Sequence, residues 1–162
     1  MKTKQTIKWV LLIAGIILLQ YLFNELLDIK GIRPDLFLIF LIYLAFHLSP
    51  TQTVWVAFFL GMLEDLLFHP MVIGLSPLLK TFTGFILAKL VHQSYIHLRF
   101  FSIISSIILI FLNHVIFNWI IFIDMPMRFI EILVNYSLPE VLYTGGIFLL
   151  ATYFISLSPE TE

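Results

Sequence analysis

Six long apolar stretches, separated by short polar segments, dominate the sequence. An α-helix rises 1.5 Å per residue, so about 20 apolar residues cross a hydrocarbon core of roughly 30 Å. Because unpaired backbone groups are costly in hydrocarbon, each stretch is predicted to be a helix. The predicted spans are Ile7–Leu27, Pro34–Leu48, Pro50–Phe68, Pro77–Tyr95, Phe100–Ile123 and Leu138–Leu157. The pattern predicts an all-α polytopic membrane protein with a single transmembrane domain, residues 1–162.

The second span is the shortest of the six. Its 15 residues would reach only about 22 Å as a helix. Three explanations are open: the helix borrows Ile29–Ile32, it is buried among its neighbours, or it lies where the bilayer is thin.

Three spans begin at a serine followed closely by proline, which is typical of a capped helix start. The three patterns are Ser49-Pro50-Thr51-Gln52, Ser76-Pro77 and Ser137-Leu138-Pro139-Glu140. The segment Met127–Asn135, before the last of them, carries Arg128 and Glu131 as an i,i+3 pair on one helical face and apolar residues on another. It is interpreted equally well as a short helix in the outer interface or as a loop.

The basic residues near the span ends favour a cytoplasmic N-terminus. The first span is too long for a signal peptide, and Asn24 and Glu25 occupy the place of a cleavage site, so we interpret it as retained. The inner side then carries Lys2, Lys4, Lys8, Lys89 and Arg99, and the outer side Lys30, Arg33 and Arg128. Both termini are predicted to be cytoplasmic.

Charged residues occur within the spans, where they are expensive and need a reason. Glu64 and Asp65 near the end of span three should lie at the same depth as Lys80 near the start of span four. We expect Asp65 to pair with Lys80, either to fix helix packing or as part of a site. Glu64 points about 100° away from Asp65 and is expected to reach outward.

Further polar residues are expected at the same outer level. The predicted polar intramembrane cluster consists of Lys80, Asn113, His114, Asn118 and Glu140. His114 and Asn118 are four residues apart and share a helical face. The cluster is interpreted either as a pocket for a small ligand or partner, or as structural packing. For Glu140 the capping box is the simpler interpretation.

Small residues mark positions where helices can approach closely. Gly61 lies one turn before Asp65, Gly84 and Ala88 are one turn apart, and Gly145 precedes Gly146. Packing within the chain is the simpler explanation for each, and docking of a partner helix is the alternative.

The composition narrows the functional classes. The 162 residues are 60% hydrophobic and 12% charged, with a mean hydropathy of +1.04, whereas a soluble domain has about 25% charged residues. A net charge of −1 and no basic stripe give no reason to expect nucleic acid, and the absence of cysteine excludes thiolate sites. No metalloprotease, serine-hydrolase or phosphate-loop motif occurs. Neither catalysis nor a cofactor or metal is predicted.

Short motifs occur in a fixed order between Gly31 and Leu90. They are Arg33-Pro34-Asp35 before span two, Gly61 and Asp65 in a G-x-x-x-D pattern in span three, and Gly74 in the following turn. In order and spacing they resemble MreD, the integral membrane family of the bacterial rod-shape (elongation) machinery. The sequence departs from the family's pattern at the bulky turn Phe68–Met71 and at the charged Glu64 and Lys80.

This resemblance implies a fold similar to the substrate-binding components of energy-coupling-factor transporters. It also implies a non-enzymatic scaffold that binds MreC, within a complex of the MreB filament and the peptidoglycan polymerase–transpeptidase pair in the cytoplasmic membrane. Pro34 and Asp35 are explained fully as a well-formed helix start. Arg33 is the motif residue that remains for a partner contact.

Two rival functions are considered. A small-molecule-binding component of a vitamin transporter often has an Ala-xxx-Ala seam in its first helix, whereas this chain has only Ala14 beside Gly15. An intramembrane enzyme would depend on His114 with Asn113 and Asn118, and it is the least favoured of the three.

Overall fold

The computed structural model describes residues 32–70, 72–92 and 99–154, together with Gly15 and Gln20. In these ranges the elements are α1 (Leu36–Ala45), α2 (Pro50–Phe68), α3 (Leu75–His92), α4 (Arg99–Ile121), α5 (Phe129–Ile132), a π-helical turn (Leu133–Ser137) and α6 (Leu138–Phe154). The all-α prediction is confirmed for this part of the chain. The predicted first span, Ile7–Leu27, lies outside the described residues except for Gly15 and Gln20, which are both helical.

Three helical stretches of the described ranges are long and apolar enough to cross a membrane. They are Pro50–Phe68, Phe100–Ile121 and Phe129–Phe154. Helix α3 has 18 residues but is less apolar, since it carries Lys80 and Lys89. The arrangement of six spans stays a prediction.

Helix α1 is short because it lies in the core of the bundle. Phe37, Leu38, Leu41 and Ile42 are fully buried, and α1 packs against α2, α3 and α6. Its 10 residues reach only about 15 Å. A helix that is apolar on all sides is stable when other helices cover it. Of the three explanations for the short second span, burial among its neighbours is therefore confirmed.

The start of α2 follows the predicted capping pattern. Pro50 is the first helical residue, and the Ser49 backbone N–H donates to Gln52 Oε1 over 3.2 Å. The Thr53 hydroxyl also donates to the Ser49 carbonyl. These local bonds satisfy groups that a helix start leaves unpaired, and the observed bounds of α2 match the predicted third span.

Helices α2 and α3 pack closely as an antiparallel pair. Gly61 lies against Pro77, and Gly84 lies against Ala57 and Thr53. A Cβ atom on Gly61 would stand 2.5 Å from Pro77 Cα, so this position admits only glycine without a shift of the helices. The small residues at these two positions therefore serve packing within the chain.

The start of α3 differs from the predicted serine cap. The helix begins at Leu75, so Ser76 is already inside it. Gly74 makes the turn instead, with φ at +107°, and its carbonyl accepts from the Leu78 backbone N–H. A positive φ favours glycine, which explains why the turn is set there and not at Ser76.

The segment Met127–Asn135 forms neither a separate interfacial helix nor a loop. Helix α5 begins at Phe129 and continues through the π-helical turn into α6, so Phe129–Phe154 is one helical stretch. Ser137 is buried inside that stretch. The predicted capping box of Ser137 and Glu140 is therefore wrong, because no helix starts there.

Large apolar side chains cover much of the outer surface. Trp55, Phe82, Phe100 and Leu142 are each at least 60% exposed. Single exposed apolar residues are common in soluble proteins, but contiguous apolar surface on several long helices is typical of contact with lipid or with other membrane helices.

Replacement of Gly61 by alanine should disturb the α2–α3 pair, because the added methyl group meets the Pro77 backbone. We expect a loss of about 1–3 kcal/mol in unfolding free energy, measured as a lower thermal unfolding midpoint in detergent. Gly145→Ala is the matched control, since nothing lies within 4 Å of a Cβ at that position. Equal midpoints for the two variants would contradict the packing argument.

Candidate functional site

Asp35 connects three helices at the start of α1. Its side chain caps α1 by accepting from the Leu38 backbone N–H over 2.7 Å. Its Oδ2 atom also accepts from Lys80 Nζ over 2.5 Å, and its own backbone N–H donates to Thr144 Oγ1 over 3.1 Å. Through these contacts α1 is tied to α3 and α6 at a buried position.

Lys80 forms a buried ion-pair triad with Asp35 and Glu64. The lysine is 1% exposed, and its ammonium contacts both carboxylates. A buried charge is tolerated when opposite charges and hydrogen bonds compensate for lost water. The expected pairing of Asp65 with Lys80 is wrong, and so is the outward direction of Glu64. The rotation of α2 brings Glu64 to face Lys80, and Asp65 lies about 100° further round the helix.

Asp65 instead holds the turn between α2 and α3. Its Oδ2 atom accepts from the Gly74 backbone N–H over 2.6 Å, across a separation of nine residues. The side chain is fully buried. The G-x-x-x-D pattern and the turn glycine are therefore linked physically: Gly61 permits the close approach of α3, and Asp65 binds the Gly74 backbone at its start.

Gln20, from the predicted first span, completes the start of α1. Its Nε2 atom donates to the Pro34 carbonyl over 3.0 Å, and its Oε1 atom accepts from the Leu36 backbone N–H over 2.8 Å. Sequence reasoning missed this residue. The signal was present, since a buried glutamine in an otherwise apolar helix requires polar partners.

The polar residues of α4 meet α3 and α6. Asn118 Nδ2 donates to Glu140 Oε2 over 2.6 Å, and His114 Nδ1 lies 3.3 Å from the same oxygen. Asn113 Nδ2 donates to Thr83 Oγ1 over 3.3 Å. The shared face predicted for His114 and Asn118 is what allows both to reach one carboxylate. Glu140 thus belongs to the polar cluster and not to a helix cap.

A cavity of about 200 Å³ lies where these groups converge. Its lining includes Arg33, Asp35, Glu64, Lys80, Asn113, His114 and Glu140. The Arg33 side chain is exposed, whereas Pro34 is fully buried. His69 also lines the cavity, and burial together with the positive charge of Lys80 lowers the pKa of its imidazole. The family-motif residue Asp35 and the intramembrane cluster therefore line one site.

The arrangement offers hydrogen bonding and charge pairing. Among the described residues, no group of three or more His, Asp or Glu side chains is placed to hold a metal ion. The carboxylates are instead engaged with Lys80, Asn118 and His114. The site can fix the relative positions of helices and admit a small polar molecule.

Comparison with known proteins identifies one family. The family model described as rod shape-determining protein MreD matches residues 3–157. No curated protein and no solved structure matches the chain significantly.

Replacement of Lys80 by methionine should destabilise the protein, because Asp35 and Glu64 would be left as buried carboxylates without their cation. The expected loss is about 3–5 kcal/mol of unfolding free energy, measured by thermal unfolding in detergent. Lys89→Met, at an exposed position of the same helix, should have little effect. If both variants unfold at the wild-type midpoint, the triad does not stabilise the fold.

Asp65→Leu should weaken the α2–α3 turn, since the Gly74 N–H loses its acceptor at a cost of about 1–3 kcal/mol. Asp65→Asn should retain most of the stability, because an amide oxygen can still accept that bond. The thermal unfolding midpoints of the two variants in detergent test both expectations. Asp124→Leu, in an exposed loop, is the control. An asparagine variant as unstable as the leucine variant would show that the charge of Asp65, and not its accepting oxygen, is required.

Proposed function

The chain belongs to the MreD family of rod shape-determining proteins, and from this membership we propose that it is a non-enzymatic scaffold of the elongation complex. In this role it binds MreC and helps to organise peptidoglycan synthesis and cell shape. The observation that carries the proposal is the family match, which extends over residues 3–157.

The described helices support a scaffold in two ways. The triad of Lys80, Asp35 and Glu64 holds three helices in register, so the outer surface keeps a defined shape. That surface presents large apolar side chains, which suit contact with the membrane helix of a partner. A scaffold needs both properties, because a partner recognises only surfaces that do not rearrange.

The proposed location is the bacterial cytoplasmic membrane, with a multi-pass topology and both chain ends in the cytoplasm. The proposed partners besides MreC are the MreB filament, the peptidoglycan polymerase–transpeptidase pair and membrane lipid. The proposed fold is similar to that of the substrate-binding components of energy-coupling-factor transporters. No comparison favours the vitamin-transporter alternative.

Arg33 is the proposed partner-contact residue of the R-P-D motif. Pro34 and Asp35 are buried and serve the start of α1, whereas the Arg33 side chain is exposed beside the cavity. A guanidinium at such a position can pair with a carboxylate or phosphate through two parallel hydrogen bonds.

Arg33→Ala should reduce MreC binding without unfolding the protein. We expect about tenfold less MreC to co-purify in detergent, because the loss of one central interface contact weakens binding by about that factor. Arg128→Ala, exposed on the same predicted side, is the matched control.

Depletion of the protein should also round rod-shaped cells. Retained rod shape on depletion, together with no recovery of MreC by the wild type, would refute the scaffold role.

A further inference from the structure

Four buried polar atoms of the cavity lining have no hydrogen-bond partner within the described part of the chain. They are Glu64 Oε2, His69 Nδ1, Ser76 Oγ and His114 Nε2. Glu64 Oε2 is nevertheless in contact with the Lys80 ammonium. Of the other three residues, Ser76 and His114 are the most deeply buried, at 2% and 6% exposure. Buried polar atoms are nearly always paired, so Ser76 Oγ and His114 Nε2 are atoms that a molecule in the cavity can satisfy.

The free atoms are suited to accept hydrogen bonds. His114 Nδ1 lies 3.3 Å from Glu140 Oε2, and because a carboxylate only accepts, Nδ1 carries the hydrogen. In a neutral imidazole Nε2 is then an acceptor. The Ser76 hydroxyl can also accept. A molecule that brings N–H or O–H donors therefore satisfies both atoms when the imidazole is neutral.

Acidic side chains outnumber the lysine and arginine side chains in the lining. Asp35, Glu64 and Glu140 are acidic, and Lys80 and Arg33 are basic. The ammonium of Lys80 is already shared between Asp35 and Glu64. Glu140, whose Oε2 atom contacts Asn118 and His114, lies outside that triad and can balance a positive charge on a bound molecule.

We propose that this cavity binds a primary ammonium group, which donates to Ser76 and His114 and is balanced by the carboxylates. A volume of about 200 Å³ equals roughly six or seven water molecules, so it accommodates a small amine but not a large ligand. The group comes either from a free amine or from the ethanolamine headgroup of a lipid. This binding goes beyond the scaffold role and does not depend on it.

Titration calorimetry of the detergent-purified protein with ethylammonium tests the proposal. Saturable binding is expected, and tetramethylammonium, which has the same charge but no N–H donor, should bind at least about tenfold more weakly. Ser76→Ala and His114→Phe should each weaken ethylammonium binding about tenfold. The matched controls are Ser106→Ala, whose hydroxyl bonds to the Ser102 carbonyl, and His92→Phe at an exposed position.

Repeating the titration in lipid nanodiscs separates the two sources. Weaker apparent binding of ethylammonium in phosphatidylethanolamine than in phosphatidylcholine indicates that the headgroup competes for the cavity, and equal binding indicates a free amine. Absence of saturable binding, equal binding of tetramethylammonium, or unchanged binding by Ser76→Ala and His114→Phe would each overturn the proposal. Since MreC recovery is a separate measurement, failure here leaves the scaffold role standing.

Discussion

The need to neutralise one buried ammonium group organises this protein. Lys80 is almost completely removed from solvent, and its charge is compensated by Asp35 and Glu64 from two other helices. In a medium of low polarity an uncompensated charge is very unfavourable, so alternative packings that separate these groups are disfavoured. Asp35 extends the constraint, because its backbone N–H also donates to Thr144 of α6. One charge therefore sets the relative positions of α1, α2, α3 and α6.

The polar interior and the apolar exterior have separate tasks. Apolar contacts between membrane helices are weakly specific, since lipid tails are as apolar as the side chains they would replace. The buried ion pairs and hydrogen bonds supply that specificity, and they leave the outer surface available for lipid and partners. The cavity forms where polar side chains from several helices converge without filling the space, so a binding site arises from the same groups that hold the bundle together.

The sequence predicted local features well and long-range pairing poorly. The start of α2 could be predicted from Ser49, Pro50 and Gln52 because a helix start depends on neighbouring residues. The meeting of His114, Asn118 and Glu140 at one level followed from helical spacing and the antiparallel order of spans. The partners of Lys80 were assigned wrongly, because the choice between Glu64 and Asp65 depends on the rotation of α2 about its axis.

Two other features required information from distant parts of the chain. Asp35 is 45 residues from Lys80, and no local pattern links them. The continuous helix from Phe129 to Phe154 was divided in the prediction, since Ser137 and Pro139 resemble a capped start. Ser137 is instead buried inside the helical stretch, and a π-helical turn stands there in place of a break.

The burial of α1 has a consequence for biogenesis. At about 15 Å the helix is too short to cross the hydrocarbon core by itself, and the charge that Asp35 requires emerges from the ribosome 45 residues later. We therefore expect that the nascent segment does not settle as an independent unit facing lipid. It is expected to pack stably only after α3 has been synthesised, since Lys80 and the Gln20 contact both contribute to the start of α1. Cooperative insertion of these helices would be the consequence.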